Sequence, residues 1–245
     1  MKKLLFVILI LTVLTPWIQA TELWEASYGK LLKKYVYHDG VDYQLWKNNP
    51  QDMEELNKLV ESLALKTTVT REPHTRLAYL INTYNILVLK GVLDMYPVKS
   101  VRDIAPEFGF FHEKRFIFEG TPVSLNHVEK DLLLKTFKDP HIHFAVNCAS
   151  ISCPPLLNEP YTASKVMIQL ESVTRTFLEQ NPEAVRLEKN RYLLSSLFSW
   201  YAADFATQGS VLNFINRYRK QPLPPNAKIE YLDYNWNLNQ SSVRK

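Results

Sequence analysis

The sequence predicts an α+β fold: a helix-rich single domain carrying a small, mostly antiparallel sheet. Three observations predict it. Stretches with apolar residues at helical spacing are long and numerous, whereas period-two stretches are short and few. The strand candidates do not alternate regularly with helices, which argues against a doubly wound parallel sheet. The composition, with only 6 Gly but 13 Tyr among 245 residues, is that of a packed globular chain and not of a flexible or fibrous one.

The chain opens on MKKLLFVILILTVLTPWIQA. Lys2 and Lys3 precede an apolar run over residues 4–14 that only Thr12 interrupts, and Pro16 and Ala20 follow. A basic start, an apolar stretch and a small residue at the end form the layout of a cleavable secretion signal. The expected organisation is therefore a signal peptide over residues 1–20, cleaved after Ala20, and one globular domain over 21–245 that is secreted or periplasmic. The run is shorter than the roughly 20 apolar residues a spanning helix needs. No cysteine near the cleavage point offers a lipid attachment, and no transmembrane anchor is expected after cleavage. Lys2 and Lys3 leave with the signal and no acidic residue does, so the formal charge falls from +4 to +2. Scattered basic residues in a nearly neutral chain lack the stripe a nucleic-acid groove requires. The expected partner is an envelope or extracellular substrate or protein, without nucleic acid and without a cofactor. A chain this long can bury a full core without disulfide staples.

The elements follow in order. Residues 22–37 read as an amphipathic helix with Leu23, Leu31, Leu32 and Tyr35 on its apolar side. His38-Asp39-Gly40 makes a turn, and residues 41–43 read as a short extended piece. Pro50 stands where helix starts favour it, ahead of a helix over about 51–65. The next helix, 73–95, is apolar on nearly every side, as a helix buried in the core would be. Asn82 and Asn85 lie within it, three apart and on one face. A buried amide needs hydrogen-bond partners, so the pair either ties a neighbouring loop to the helix or lines a polar site. Residues 115–119 read as a strand, and Ser124 is a fitting N-cap for a helix through Lys135 with Glu129 in its middle. Ile142, Phe144 and Val146 alternate with His141 and His143, the period-two pattern of a half-buried strand. Beyond lie a helix over 162–179, a hairpin pairing 185–187 with 192–194, helices over 197–205 and 211–218, and a strand over 228–232.

Both cysteines and two of the 6 histidines fall between His141 and Cys153. Three uses are open. Cys148 could be a nucleophile with His143 as its base and an Asn, Asp or Glu orienting the imidazole. On an extended strand, however, five residues at about 3.3 Å each would hold the two roughly 16 Å apart, so a sharp turn at 147–149 or a pairing of His143 with Cys153 would be required. Cys148 and Cys153 could form a disulfide in an oxidising compartment. His141 and His143 on one strand face could offer two imidazoles to a metal, although the spacing H-x-H-x4-C-x4-C matches none of the usual zinc patterns.

The run Ala78-Tyr79-Leu80-Ile81-Asn82-Thr83-Tyr84-Asn85, the run Ser124-Leu125-Asn126-His127-Val128-Glu129 and the block Asp139 to Pro155 resemble the signatures of the domain-of-unknown-function 547 family. The stretch 197–205, with Trp200, Tyr201 and Asp204, and the tail 233–239 are similar to it as well. The resemblance implies that Asn82, Asn85, Glu129, His143, Cys148 and Cys153 occupy family motif positions. His141 stands where the family has arginine, which removes it from a required ligand set, and Lys130 stands where the family has histidine. The Asn, His and Cys motifs are reminiscent of papain-like thiol peptidases or transglutaminase-like enzymes, an analogy that needs a permuted order because His precedes Cys here. The expected activity is that of a thiol-dependent hydrolase or acyltransferase acting on peptide-like or envelope substrates. The competing expectation is a non-catalytic, disulfide-stapled envelope binding protein.

Overall fold

A computed structural model describes residues 16–65 and 72–242. The apolar run read as a secretion signal lies outside the described residues. Helices carry the fold because capping and apolar patterning agree along most of the chain. Helix α1 (Pro16–Tyr35) leads into a ribbon of β1 (Val36–Tyr37) and β2 (Gly40–Val41), which pair antiparallel. The Asp42 side chain accepts the Leu45 N–H and starts α2 (Tyr43–Lys47), so the extended piece expected over 41–43 ends early. Helix α3 (Pro50–Ala64) is capped by Asn49 with Pro50 in its first turn. Helix α4 (Pro73–Met95) is capped by Glu72, which accepts the His74 and Thr75 N–H groups. It stops at Met95 because Pro97 disfavours helical backbone in the preceding residue, and Tyr96 is extended. Its interior is buried almost continuously from Leu77 to Leu93, as an apolar pattern on all sides requires.

Next come α5 (Gly109–His112) and a hairpin of β3 (Phe116–Phe118) with β4 (Thr121–Val123). Ser124 accepts the His127 N–H as a helix cap would. The α-helix expected there is corrected by the structure: His127–Leu134 winds as a π-helix, with α-helical backbone only in the flanking residues 125–126 and α6 (Lys135–Phe137). The successive residues Val128 and Glu129 are both buried in this winding, together with Leu133. Helix α7 (Val166–Gln180) is followed by β5 (Val185–Glu188) and β6 (Arg191–Leu194), an antiparallel hairpin. The helix expected over 197–205 breaks at Tyr201 into α8 (Leu197–Trp200) and α9 (Ala202–Ala206). Helix α10 (Val211–Tyr218) precedes β7 (Ile229–Tyr231), which joins β6 in parallel. No helix among the described residues is long and apolar enough to cross a membrane.

The strand expected over 141–146 is a 3-10 helix, Pro140–Phe144. Asp139 accepts the His141 N–H and Pro140 opens the turn, so the local chemistry is that of a helix start. The apolar alternation that mimics a strand has another cause. Ile142, Ala145 and Val146 bury into a core built on α1 to α4, while Phe144 buries into a second core with Phe177, Phe198, Phe205 and Phe214. The segment carrying His143 thus lies at the seam between two apolar clusters.

The tail after β7 runs back across the molecule. The Leu238 N–H donates to the Lys99 carbonyl, Asn239 N–H to Ala149, and Val41 N–H to Asn239. Gly40 makes the last approach feasible. It has φ +146, and a Cβ there would stand 2.1 Å from the Asn239 carbonyl oxygen.

Candidate active site

One amide shapes the cysteine loop. Asn147 Nδ2 donates to the Pro154 carbonyl at 2.8 Å, and Asn147 Oδ1 accepts the Ala149 N–H at 2.9 Å and Asn239 Nδ2 at 3.3 Å. Both ends of the loop are held by the same side chain. Ala149 sits in the left-handed region at φ +63, where non-glycine residues are uncommon. The Cys153 N–H donates to the Ser150 carbonyl at 3.1 Å. This turn folds the second cysteine under the first, so that Cys153 Sγ accepts the Cys148 N–H at 3.0 Å. Both cysteines are free thiols, and the disulfide staple weighed from the sequence is not formed here.

The two thiols differ in character. Cys148 is partly exposed, and its Sγ lies 2.7 Å from Ser150 Oγ and 3.2 Å from the Tyr234 hydroxyl. Burial pushes its pKa up, but hydrogen bonds from Cys153, Ser150 and Tyr234 favour the thiolate and outweigh burial, bringing the pKa down to about 7. Cys153 is buried, and burial together with its bond to Cys148 and the charge there pushes it well above the ordinary thiol value.

His143 Nε2 lies 2.9 Å from Asp204 Oδ2; the imidazole side chain is 1% exposed and the carboxylate 45%. Burial lowers the His143 pKa, and Asp204 offsets only part of that, so the ring is neutral near pH 7. With a carboxylate as partner, Nε2 carries the proton and Nδ1 is the basic nitrogen. The Tyr201 ring packs on the imidazole at 4.0 Å between centroids, and its hydroxyl donates to Glu129 Oε1 at 2.9 Å. Glu129 is 8% exposed. Burial raises its pKa, and hydrogen bonds from Tyr201 and Tyr84 and the charge of Lys130 offset this in part.

Cys148, Cys153, His143 and Glu129 all line one cavity of about 370 Å³, with Tyr84 and Tyr201 beside them. Phe108, Phe111, Trp200, Tyr234 and Trp236 add an aromatic wall to it. Trp200 and Trp236 stack at 5.8 Å with 17° between their planes, and Trp200 is half-exposed.

Asn82 and Asn85 do not line the cavity. Asn82 Nδ2 donates to the Tyr161 carbonyl at 2.7 Å, and Asn82 Oδ1 accepts the Tyr161 N–H at 3.0 Å. Asn85 Nδ2 donates to the Ala145 carbonyl at 2.9 Å and Oδ1 accepts the Asn147 N–H at 2.8 Å. Both tie chain segments to α4; Asn85 fixes the stretch directly before Cys148 and so positions the site. His143 and Cys148 share a cavity, but the imidazole's hydrogen bond goes to Asp204 and the thiol's go to Ser150 and Tyr234. His141 bonds Asp139 through Nδ1 and the Tyr218 hydroxyl through Nε2. Among the described residues, no group of three His, Cys, Asp or Glu is placed to hold a metal ion.

Sequence reasoning missed Tyr84, Ser150, Tyr201, Asp204 and Tyr234 as site residues. Tyr201 sits at the break between α8 and α9 and Asp204 lies within α9, three residues on. Tyr234 belongs to the tail 233–239, whose similarity to the family was a signal without a role attached, and only the tertiary fold brings it to Cys148.

Residues 69–178 match the family model described as protein of unknown function, DUF547. The match takes in His143 and both cysteines and ends before Tyr201, Asp204 and Tyr234. No curated protein matches the chain, and no solved structure matches it.

Proposed function

We propose that the protein, whose residues 69–178 match the DUF547 family model, is an exported thiol-dependent hydrolase or acyltransferase acting on peptide-like or envelope substrates, with Cys148 as nucleophile. The observation that carries this reading is a partly exposed thiol with a pKa of about 7, set in the wall of a 370 Å³ cavity that also holds His143 and Glu129. Thiolate is the attacking form of cysteine, and near pH 7 local hydrogen bonds supply it without a histidine partner.

In this reading the Cys148 sulfur attacks the carbonyl carbon of an acyl donor and a carbon–sulfur bond forms. The leaving group departs with its bonding electrons and takes a proton from Glu129, whose raised pKa suits a donor. His143 Nδ1 then takes a proton from the water, alcohol or amine that attacks the thioester, and Asp204 steadies the resulting imidazolium. The sulfur leaves as thiolate, and the proton on His143 restores Glu129. Tyr201, which packs on one group and bonds the other, lies between them.

The test uses p-nitrophenyl acetate and a peptidyl thioester as acyl donors, with mass spectrometry of the quenched protein. The expected result is one acyl group on Cys148 and none in a folded Cys148→Ala variant. An unmodified wild type, or equal turnover by the variant, overturns the reading. Export is checked separately: the chain expressed with its own start should be recovered outside the cytoplasm, shortened by the 20 residues expected of the signal. Retention at full length in the cytoplasm contradicts it.

A further inference from the structure

The loop that presents Cys148 also delivers a second sulfur to it. The Cys153 sulfur accepts the Cys148 N–H at 3.0 Å, and both cysteines line the same cavity. The Tyr234 hydroxyl lies 3.2 Å from the Cys148 sulfur. Cys148 is partly exposed on the cavity wall, whereas Cys153 is 6% exposed and faces the Val146 carbonyl behind it. A molecule entering the cavity meets Cys148 first, and the buried sulfur lies within reach of the first.

We propose that Cys148 and Cys153 are an attacking and a resolving thiol, and that the pair exchanges with low-molecular-weight disulfides admitted to the cavity. The inference rests on the reading of Cys148 as the nucleophile. The Cys148 sulfur attacks one sulfur of the disulfide, forming a mixed disulfide and releasing the other half as a thiolate that picks up a proton from solvent. Cys153 loses its proton to solvent, with the Tyr234 hydroxyl alongside, and attacks the Cys148 sulfur. The mixed disulfide breaks and its second half leaves as a thiolate that takes a proton from solvent. The substrate disulfide is reduced to two thiols, and the two protein thiols are oxidised to one Cys148–Cys153 disulfide. The direction of the pKa displacements fits these roles: the attacking sulfur ionises near neutral pH, and the resolving sulfur keeps its proton until a disulfide is presented to it. In the oxidised state the acyl-transfer nucleophile is withdrawn, so activity becomes dependent on a thiol reductant.

Oxidised glutathione is the probe. The reduced full-length protein is incubated with it at pH 7, quenched in acid and mapped by mass spectrometry, alongside iodoacetamide labelling of Cys148. The expected wild-type product has lost two hydrogens and contains a Cys148–Cys153 bridge, with glutathione released. The Cys153→Ala variant is expected to stop at a glutathione adduct on Cys148. A lasting adduct on wild-type Cys148, or no reaction with glutathione disulfide while iodoacetamide still labels Cys148, overturns the exchange pair and leaves the nucleophile standing. A Cys148 inert to both reagents removes the nucleophile as well. The wild-type outcome decides the matter even if Cys153→Ala fails to fold.

Discussion

Cys148 is activated by its own loop and tail more than by a base. Ser150, Tyr234 and Cys153 surround the sulfur, while the histidine two residues beyond His141 is bonded to Asp204. Removing a donor should therefore raise the thiol pKa. We expect Tyr234→Phe and Cys153→Ala each to move the pH midpoint of Cys148 alkylation upward, toward that of an ordinary cysteine, measured as labelling rate against pH. Glu129 gives a second prediction at this scale. Its native pKa is raised above the ordinary value of 4.5, so the unfolded chain releases this proton first as pH rises. The contribution of Glu129 to stability is whole below about pH 4.5 and is lost between there and its native pKa. Glu129→Gln should remove that loss, so urea midpoints of variant and wild type should converge or cross as pH is raised. A constant offset across the range would contradict the raised native pKa. The cysteines and His143 are conspicuous in the sequence, whereas Glu129 entered only through the family resemblance. Their partners are not legible there: Tyr234 and Cys148 are 86 residues apart, and nothing local in either segment announces the other.

At the scale of elements, α4 could be read almost to the residue. Its boundary signals, Glu72-Pro73 at one end and Pro97 at the other, agree with its all-round apolar pattern. That pattern also made Asn82 and Asn85 stand out, and both are hydrogen-bonded to backbone. Truncation at either leaves a buried carbonyl and a buried N–H without partners, at a cost of about 1–3 kcal/mol per group. Asn82→Ala and Asn85→Ala should both lower the free energy of unfolding in urea by at least the low end of that range. Only Asn85→Ala should also change the alkylation rate of Cys148, since Asn85 holds the Asn147 N–H next to it. Equal effects of the two variants on that rate would contradict the positioning role of Asn85. The segments 127–134 and 140–144 were misread for a physical reason. The cap at Ser124 announces a helix without telling i→i+5 from i→i+4 winding, and the strand-like alternation of Ile142, Phe144 and Val146 arises from burial into two different cores.

Across the whole molecule, the site is closed by the end of the chain. The tail bridges Ser100 at Asn237, Ser150 at Leu238 and Val41 at Gln240, so three distant segments depend on it. Tyr234 and Trp236 enter the cavity wall from this tail. Gly40 is where the tail passes closest to another backbone, and Gly40→Ala would set a methyl group against the Asn239 carbonyl. We expect that variant to unfold at lower temperature by calorimetry and to raise the Cys148 pKa along with it, because displacement of the tail withdraws Tyr234. Unchanged melting would mean that the tail is not part of the cooperative unit. Such pairings over most of the chain length are invisible to pattern reading, which sees only neighbours within a turn or a hairpin. The apolar periodicity found the helices; the assembly of the cavity is a property of the folded chain.

The most direct measurement of the central claim is the rate of iodoacetamide labelling at each cysteine as a function of pH, resolved by peptide mapping of the reduced protein. Cys148 is expected to be labelled with a midpoint of about 7 while Cys153 stays unmodified in the folded state. A midpoint at the ordinary thiol value, or labelling of Cys153 ahead of Cys148, would contradict that claim.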